Sequence, residues 1–259
     1  MIPALNAWVA EEAAINGYPP LKLVVLGDWL LRFSGGARRT ANSATLLREP
    51  QRPIEGDMEA VIATAEALYR EQGLPPIFRL PSFLDPAIDA QLAAHGYTAE
   101  GDSCIIEGPI DPIIAAAEAF GGGDAVRLEP RPADDWFAAM ARLQGQQPGF
   151  HVFYRQIVGS VALPAAFAAL AVDGAPVALA YGVIHRGMLC FESVVTDTRH
   201  RRKGYSRRVL AALGSWAKRQ GVGMATLQVE ASNTPGRTLY DAIGMTTELH
   251  RYHYRRAPS

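Results

Sequence analysis

The chain contains an internal repeat whose two copies are 148 residues apart. Residues 70–74 (Arg-Glu-Gln-Gly-Leu) recur at 218–222 as Lys-Arg-Gln-Gly-Val, and residues 96–100 recur at 244–248 behind a shared glycine. Chance similarities would scatter over many spacings, whereas these two pairs of segments share one spacing. The sequence therefore predicts two related units in tandem.

Both copies show the same order of predicted elements. A long amphipathic helix ends near a glycine, and a short apolar strand, a second helix and another strand follow it. In the second copy, three apolar runs at 166–172, 177–184 and 188–196 precede that helix and predict consecutive antiparallel strands. We expect an α/β (α+β) fold of two tandem units, each a mixed, mostly antiparallel sheet flanked by helices.

The boundary between the units is predicted where turn-forming residues cluster. Pro109, Pro112 and the glycines at 121–123 surround a short alanine-rich helix. We therefore divide the chain into a first unit at residues 1–111, a linker at 112–124 and a second unit at 125–259.

The net charge of −1 hides a difference between these units. Residues 1–111 carry 8 Lys and Arg against 15 Asp and Glu, whereas residues 112–259 carry 17 against 11. The overall charge gives no reason to expect nucleic acid or an anionic membrane as a partner. The second unit is therefore basic and the first unit acidic, and the two differ in the ligands that their charge would favour.

The cysteines and the apolar runs bear on cellular location. Cys104 and Cys190 are too few for a disulfide framework and do not have metal-ligand spacing. The N-terminal region lacks the basic start of a signal peptide, and no uncharged run is long enough for a membrane span. We expect a cytoplasmic protein without a metal.

The most informative segment, residues 194–210, contains an apolar strand, a loop rich in Arg, and a helix that begins near Tyr205. The first amides of a helix point outward and carry the positive end of its dipole, so they can bind a phosphate. Gly204 leaves room for such a ligand, and Arg201, Arg202 and Lys203 add positive charge. A solvated basic helix start is the alternative.

The run from Arg201 to Ser206 resembles the pyrophosphate loop of the GCN5-related N-acetyltransferases. Residues 227–245 resemble a second signature of that family, which is a strand, an asparagine (Asn233), a helix with Leu239-Tyr240, and a closing glycine. The resemblance covers residues 125–250 and implies acetyl-coenzyme A as the acetyl donor. Ser206 departs from the usual Gly or Ala, and Thr198 replaces a frequent proline.

The resemblance also implies which residues contact coenzyme A. The backbone of Ser193, Val194 and Val195 would bind the pantetheine arm, and the amides of the loop would bind the pyrophosphate. The predicted cofactor-binding residues are Ser193, Val194, Val195, Arg201, Arg202, Lys203, Gly204, Tyr205, Ser206 and Asn233.

Acetyl transfer to an amine requires a base for the amine and an acid for the departing thiolate. Tyr240 is the predicted acid, on a helix for which Thr234 is the expected cap. Glu192 is the first choice of base, because a carboxylate in an apolar strand must face a cleft or a partner. Glu230 is the second choice, and a chain of water molecules is the alternative to a carboxylate base.

A shift of 148 residues places Asp57 opposite Tyr205, Asp85 opposite Asn233 and Leu92 opposite Tyr240. The first unit therefore lacks each of these side chains, and Glu55 beside Asp57 would repel a pyrophosphate. We expect a degenerate unit that lines the acceptor cleft. Its acidic character would suit a cationic amine. Its candidate acceptor-facing side chains are Trp29, Arg38, Arg39, Asn42 and Ser43, and a structural role is the alternative for each of them.

The leading hypothesis is an acetyl-coenzyme A-dependent N-acetyltransferase that acts on a small-molecule or peptide amine by direct transfer in a ternary complex. A coenzyme A-binding sensor without catalysis is one alternative. A nucleic-acid-binding module is another, since residues 199–208 hold six Lys and Arg. Only Tyr205 offers a stacking aromatic there, which weakens that alternative.

Overall fold

The computed structural model describes residues 3–36, 38–46, 58–120 and 126–258. The linker glycines, Glu55 and Asp57 lie outside these ranges. The helices and strands of the described residues are α1 (Pro3–Gly17), β1 (Lys22–Leu26), β2 (Trp29–Phe33), β3 (Ala44–Leu46), α2 (Met58–Glu71), β4 (Ile77–Pro81), α3 (Pro86–Ala94), β5 (Thr98–Pro109), α4 (Ile110–Ala115), β6 (Val126–Glu129), α5 (Asp134–Gln144), α6 (Pro148–Gly159), β7 (Ala165–Val172), β8 (Ala175–His185), β9 (Met188–Thr196), α7 (Tyr205–Lys218), β10 (Met224–Glu230), α8 (Thr234–Asp241) and β11 (Thr247–Arg256).

The strands form one eleven-stranded sheet in the order β1-β2-β3-β4-β11-β5-β10-β9-β8-β7-β6. Neighbours are antiparallel except β3 with β4 and β9 with β10, which run parallel. The predicted mixed, mostly antiparallel sheet with flanking helices is thus confirmed. The predicted strands β7 to β9 and the helix α7 also lie where the sequence placed them.

Four consecutive elements keep the spacing of the repeat. The helix α2, the strand β4, the helix α3 and the strand β5 begin 147 to 149 residues before α7, β10, α8 and β11. The long strands β5 and β11 are therefore counterparts of each other.

These counterpart strands exchange places between the two halves of the sheet. β5 pairs with β10, and β11 pairs with β4, while β5 and β11 also pair with each other. The sequence predicted a sheet for each unit, and this exchange joins them into one continuous sheet. Both edges of β5 and of β11 are hydrogen-bonded, so neither half is left with an open edge at the junction.

Helices cover both faces of the sheet. On one face α7 packs against β7, β8 and β9 over an aliphatic core that includes Val209, Leu213 and Leu227. On the other face α1 contacts β8 to β11, with α5 and α6 beside it. The N-terminal helix α1 thus lies against strands that come from the far end of the chain.

Candidate active site

The strands β9 and β10 separate partway along their length. They pair at three positions, from Met188 with Met224 to Cys190 with Thr226, and both strands then continue without pairing to each other. Ser193 adopts a positive φ of 52° within a bulge of β9. Beyond Cys190, β9 therefore presents backbone groups that β10 does not use, and the predicted pantetheine contacts at Ser193, Val194 and Val195 lie in this stretch.

A cavity of about 330 Å³ lies at the opening between the two strands. Ser193, Val194 and Asn233 line it, together with Glu192, Glu230 and Tyr240. The first predicted unit contributes Tyr18, Arg38, Arg39 and Ser103. The cavity is thus built by both halves of the chain.

Glu192 lies on the sheet face that α1 covers. Its side chain is close to Gly17, the last residue of α1, where an added Cβ would lie 3.6 Å from Glu192 Oε1. Burial raises the pKa of Glu192 to about 7, although the Arg38 charge and hydrogen bonds from Gln228 and Cys190 act in the opposite direction. A carboxyl group with this pKa is suited to accept a proton at neutral pH.

A chain of buried polar contacts leads from Gln228 into the other half of the molecule. Arg79 on β4 donates to Gln228 Oε1 at 3.2 Å and forms an ion pair with Glu11 of α1. His250 Nε2 lies 2.6 Å from Glu11 Oε1. Each of Arg79, Glu11 and His250 has only 2% of its side chain exposed.

The charges in this cluster compensate each other. Burial alone would raise the pKa of Glu11, but the Arg79 charge and the His250 hydrogen bond lower it to about 2. Glu11 therefore stays ionised beside Arg79, as a buried guanidinium requires. Sequence reasoning missed this cluster, for which Arg79 in an apolar strand was the one local signal.

Tyr240 lines the same cavity from α8. Its side chain is buried, and this burial, together with the nearby Glu192 charge, raises the pKa of Tyr240 to about 12. The phenol therefore keeps its proton at neutral pH. The cap of α8 is Asn233, whose Oδ1 accepts from Gly236 N at 3.0 Å, so the expectation that Thr234 caps this helix is wrong.

Glu230 occupies the rim of the cavity. Its side chain is 62% exposed, and Oε1 lies 3.6 Å from Arg39 Nη2. The carboxylate of the second candidate base is therefore in contact with solvent, whereas Glu192 lies on the sheet face that α1 covers.

The predicted anion loop leads into α7. Gly204 has a φ of 77°, and a Cβ added there would overlap the ring of Phe120, so both backbone and packing favour glycine. The preceding Arg201, Arg202 and Lys203 are exposed. The sequence analysis thus placed the glycine at the correct helix start.

Ser206 connects this helix start to the strand opening. Its Oγ lies 2.6 Å from Oγ1 of Thr196, the last residue of β9. The hydroxyl that departs from the family pattern therefore holds the first turn of α7 beside β9. Tyr205, the first residue of α7, is partly buried against the aliphatic core.

The acceptor-facing residues expected from residues 28–43 divide into two groups. Arg38 and Arg39 line the cavity. Trp29 is buried in the core, Asn42 bonds to nearby backbone, and Ser43 accepts from the buried Arg32. For these three side chains the structural alternative is confirmed, and they do not face the acceptor, because all three are buried.

Two further properties concern the described residues as a whole. Their His, Cys, Asp and Glu side chains form no group of three or more that could hold a metal ion. None of the helices between residues 3 and 258, outside the gaps at 37, 47–57 and 121–125, has the length and apolar character that a membrane crossing needs.

The overall fold matches those of solved acetyltransferase structures. A GCN5-related N-acetyltransferase from Kribbella flavida aligns with 100% of this chain and 96% of its own, at a TM-score of 0.69 and 18% identity. A tandem GNAT protein from the clavulanic acid biosynthesis pathway aligns over 97% of this chain and 88% of its own, at a TM-score of 0.65 and 17% identity. The fold is therefore that of the GCN5-related N-acetyltransferases.

Sequence comparison then identifies the particular family. Residues 8–255 match the family described as "Probable histone acetyltransferase Rv0428c C-terminal", and the chain belongs to it. The "Uncharacterized N-acetyltransferase YobR" of Bacillus subtilis (strain 168) is 26% identical over 95% of this chain and 96% of its own length. The chain is an enzyme, an N-acetyltransferase of the GNAT type.

Proposed function

We propose that this enzyme transfers the acetyl group of acetyl-coenzyme A directly to an amine within a ternary complex. The observation that carries the proposal is the pair Glu192 and Tyr240. Both line one cavity at the opening between β9 and β10, and their environments separate their pKa values to about 7 and about 12. One group is thereby prepared to accept a proton and the other to donate one.

The residues present fit acetyl-coenzyme A on the α7 side of the opening. Gly204 precedes α7 as its cap residue and has no side chain to bond the first amides of the helix. These amides are therefore available for the pyrophosphate. Arg201, Arg202 and Lys203 supply positive charge around those amides. The backbone of residues 193–195 would hold the pantetheine arm, and Asn233 would contact it from the start of α8.

The amine would enter from the α1 side, where Glu192 lies. Bound acetyl-coenzyme A supplies a thioester whose carbonyl carbon the neutral amine attacks. Glu192 accepts the proton that the nitrogen loses as the C–N bond forms. Tyr240 donates its proton toward the sulfur as the C–S bond breaks, and solvent restores both groups.

The two proton movements favour each other. The negative charge of Glu192 contributes to the raised pKa of Tyr240. When Glu192 accepts the amine proton, that charge disappears and Tyr240 becomes a better acid. The donor therefore strengthens at the stage when the thiolate needs a proton.

The first half of the chain would provide support without binding a second coenzyme A. We propose two related units, residues 1–111 and 125–259, with residues 112–124 between them and a degenerate first unit. Leu92 is the counterpart of Tyr240 in the repeat. It supports a degenerate first unit, because its side chain is fully buried in the core. The buried Arg79 would orient Gln228, and Gln228 would orient Glu192.

An acetyl-coenzyme A turnover screen tests the proposal. Thiol release should depend on an added amine when small amines, peptides with free N-termini and aminoglycosides are offered. Glu192→Gln should lose that dependence while it retains coenzyme A binding. Thiol release that no amine accelerates would contradict transfer to an amine.

A further inference from the structure

Arg38 is a positively charged side chain at the cavity without a carboxylate partner among the described residues. Its Nη2 donates to Gln144 Oε1 at 3.1 Å, and its guanidinium carbon lies 5.1 Å from the centre of the Phe150 ring. The neighbouring Arg39 differs, because carboxylate oxygens of Glu100 and Glu230 lie 3.5 and 3.6 Å from it. Arg38 therefore keeps N–H donors that no carboxylate of the described residues accepts from, although its charge also acts on Glu192.

The backbone that carries Arg38 is held in place. Asn42 is buried, and its Oδ1 accepts from Ser34 N at 2.7 Å while its Nδ2 donates to the carbonyls of Gly35 and Arg38 at 2.9 Å each. Gly35 has a φ of 71°, and a Cβ there would overlap the ring of Phe153 on α6. Asn42 thus holds the backbone carbonyls of Gly35 and Arg38, and the Phe153 ring packs against Gly35.

Arg38 faces the same cavity as Glu192. Both side chains line it, and the Arg38 charge lowers the pKa of Glu192 against the effect of burial. Among the described residues, the first predicted unit contributes Arg38 and Arg39 to the cavity lining but no acidic residue. The expectation of an acidic wall for a cationic acceptor therefore does not match the cavity that the described residues form.

Resting on the proposed acetyl transfer, we propose that the acceptor carries an anionic group, a carboxylate or a phosphate, in addition to its amine. The guanidinium of Arg38 binds the anionic group through paired hydrogen bonds. The amine of the same molecule then lies at Glu192, where it is deprotonated. A polycationic acceptor would be repelled by Arg38, which makes the proposal specific.

The test compares matched acceptors. Straight-chain amines that end in a carboxylate or a phosphate are offered beside n-alkylamines of the same length, over a series of chain lengths, and kcat/KM is measured for each. At the chain length that reaches from the Arg38 guanidinium to the Glu192 carboxyl, the wild-type enzyme should prefer the anionic acceptor over the n-alkylamine by about tenfold to one hundredfold in kcat/KM. The carboxylate and phosphate arms show which anion is used.

Two variants complete the test. Arg38→Gln should abolish the preference for the anionic acceptors. Arg155→Gln removes an exposed arginine of α6 that pairs with Asp134 outside the cavity lining, and it should keep the preference. A preference that survives in Arg38→Gln, or no preference at any length in the wild type, would overturn the inference.

Coenzyme A binding distinguishes a failure of the anionic-acceptor inference from a failure of the proposed acetyl transfer. Coenzyme A should raise the melting temperature of the wild-type protein. A protein that binds coenzyme A but acetylates neither series contradicts the anionic acceptor. A protein without any coenzyme A-induced shift contradicts the proposed function itself.

Discussion

Residues 58–109 and residues 205–256 contain the same elements in the same order, yet their second helices differ in chemistry. The helices α3 and α8 both begin with a capping side chain, from Asp85 and Asn233, followed by a proline. Leu92 of α3 is fully buried in the core, whereas Tyr240 of α8 lines the cavity. The two helices thus share a place in the order of elements and a capped start, but of these two side chains only Tyr240 lines the cavity.

The first half nevertheless contributes to the site. It supplies Arg38 and Arg39 to the cavity and Arg79 to the buried contacts of Gln228. The strands β5 and β11 lie between β4 and β10 and join the two halves into one sheet, which places Arg79 within reach of Gln228. The first half is therefore a structural part of the cavity that Glu192 and Tyr240 line.

The largest expected effect separates the two candidate bases. Glu192→Gln should lower kcat/KM by about one thousandfold, because general base catalysis contributes on this order. Glu230→Gln is the matched control and should cost less than about tenfold, since its carboxylate is exposed. Steady-state kinetics of both variants at one saturating acetyl-coenzyme A concentration checks this, and the reverse ranking would assign the base to Glu230.

The same variant should change how stability depends on pH. The folded protein holds the pKa of Glu192 near 7, above its ordinary 4.5, so folding favours the protonated form. That stabilisation is present below about pH 4.5 and is lost as the pH rises through about 7. The melting temperature of Glu192→Gln relative to the wild type should therefore increase from about pH 5 to about pH 8, and a constant difference would mean that Glu192 does not have this pKa.

The second effect concerns the residue that distinguishes α8 from α3. Tyr240→Phe should lower kcat by about one hundredfold through loss of the proton donor. The affinity for acetyl-coenzyme A should change little, because the ring and its packing remain. Unchanged turnover would remove Tyr240 from the chemistry, and a defect in binding alone would contradict its role as the acid.

A smaller effect tests whether the first half acts on Glu192 through Gln228. In the wild type, the hydrogen bond from Gln228 lowers the pKa of Glu192. Gln228→Leu removes this bond and should raise that pKa. The ascending limb of kcat/KM against pH should therefore move upward by about one pH unit. Gln228→Glu keeps a side chain of similar size but adds a charge, and it should move the limb further upward; a limb that neither variant moves would restrict Gln228 to packing.

The smallest effect compares the two helix caps. Asp85→Ala and Asn233→Ala should each lower the free energy of unfolding by about 1 kcal/mol, measured by denaturant titration. Only Asn233→Ala should also weaken coenzyme A binding, because Asn233 lines the cavity. Equal coenzyme A affinities of the two variants would limit Asn233 to its capping role.

Much of the second half could be predicted because its signals are local. Continuous apolar runs with turn residues between them predicted β7, β8 and β9, and the glycine at 204 marked the start of α7. Glu192 could be selected because a carboxylate is conspicuous in an apolar strand. The repeat predicted corresponding helices and strands. It did not predict that β5 pairs with β10 and that β11 pairs with β4.

The contacts that sequence reasoning missed join distant parts of the chain. Glu11 and His250 are 239 residues apart, and Arg79 and Gln228 are 149 apart. Such contacts follow from the exchange of β5 and β11, which depends on the packing of the whole sheet. The sequence also could not separate the roles of Arg38 and Trp29, which belong to the same polar and aromatic segment. Only the folded structure shows that Arg38 lines the cavity and that Trp29 is buried in the core.

The central claim is that one of two related halves binds coenzyme A while both form the cavity. Isothermal titration of the full chain with coenzyme A tests it directly. One molecule should bind per chain, and Gly204→Glu should abolish binding. Gly187→Ala, at a glycine with a φ of 78° and open space around it, should retain binding despite similar backbone strain. Two molecules per chain, or binding that survives Gly204→Glu, would contradict the account.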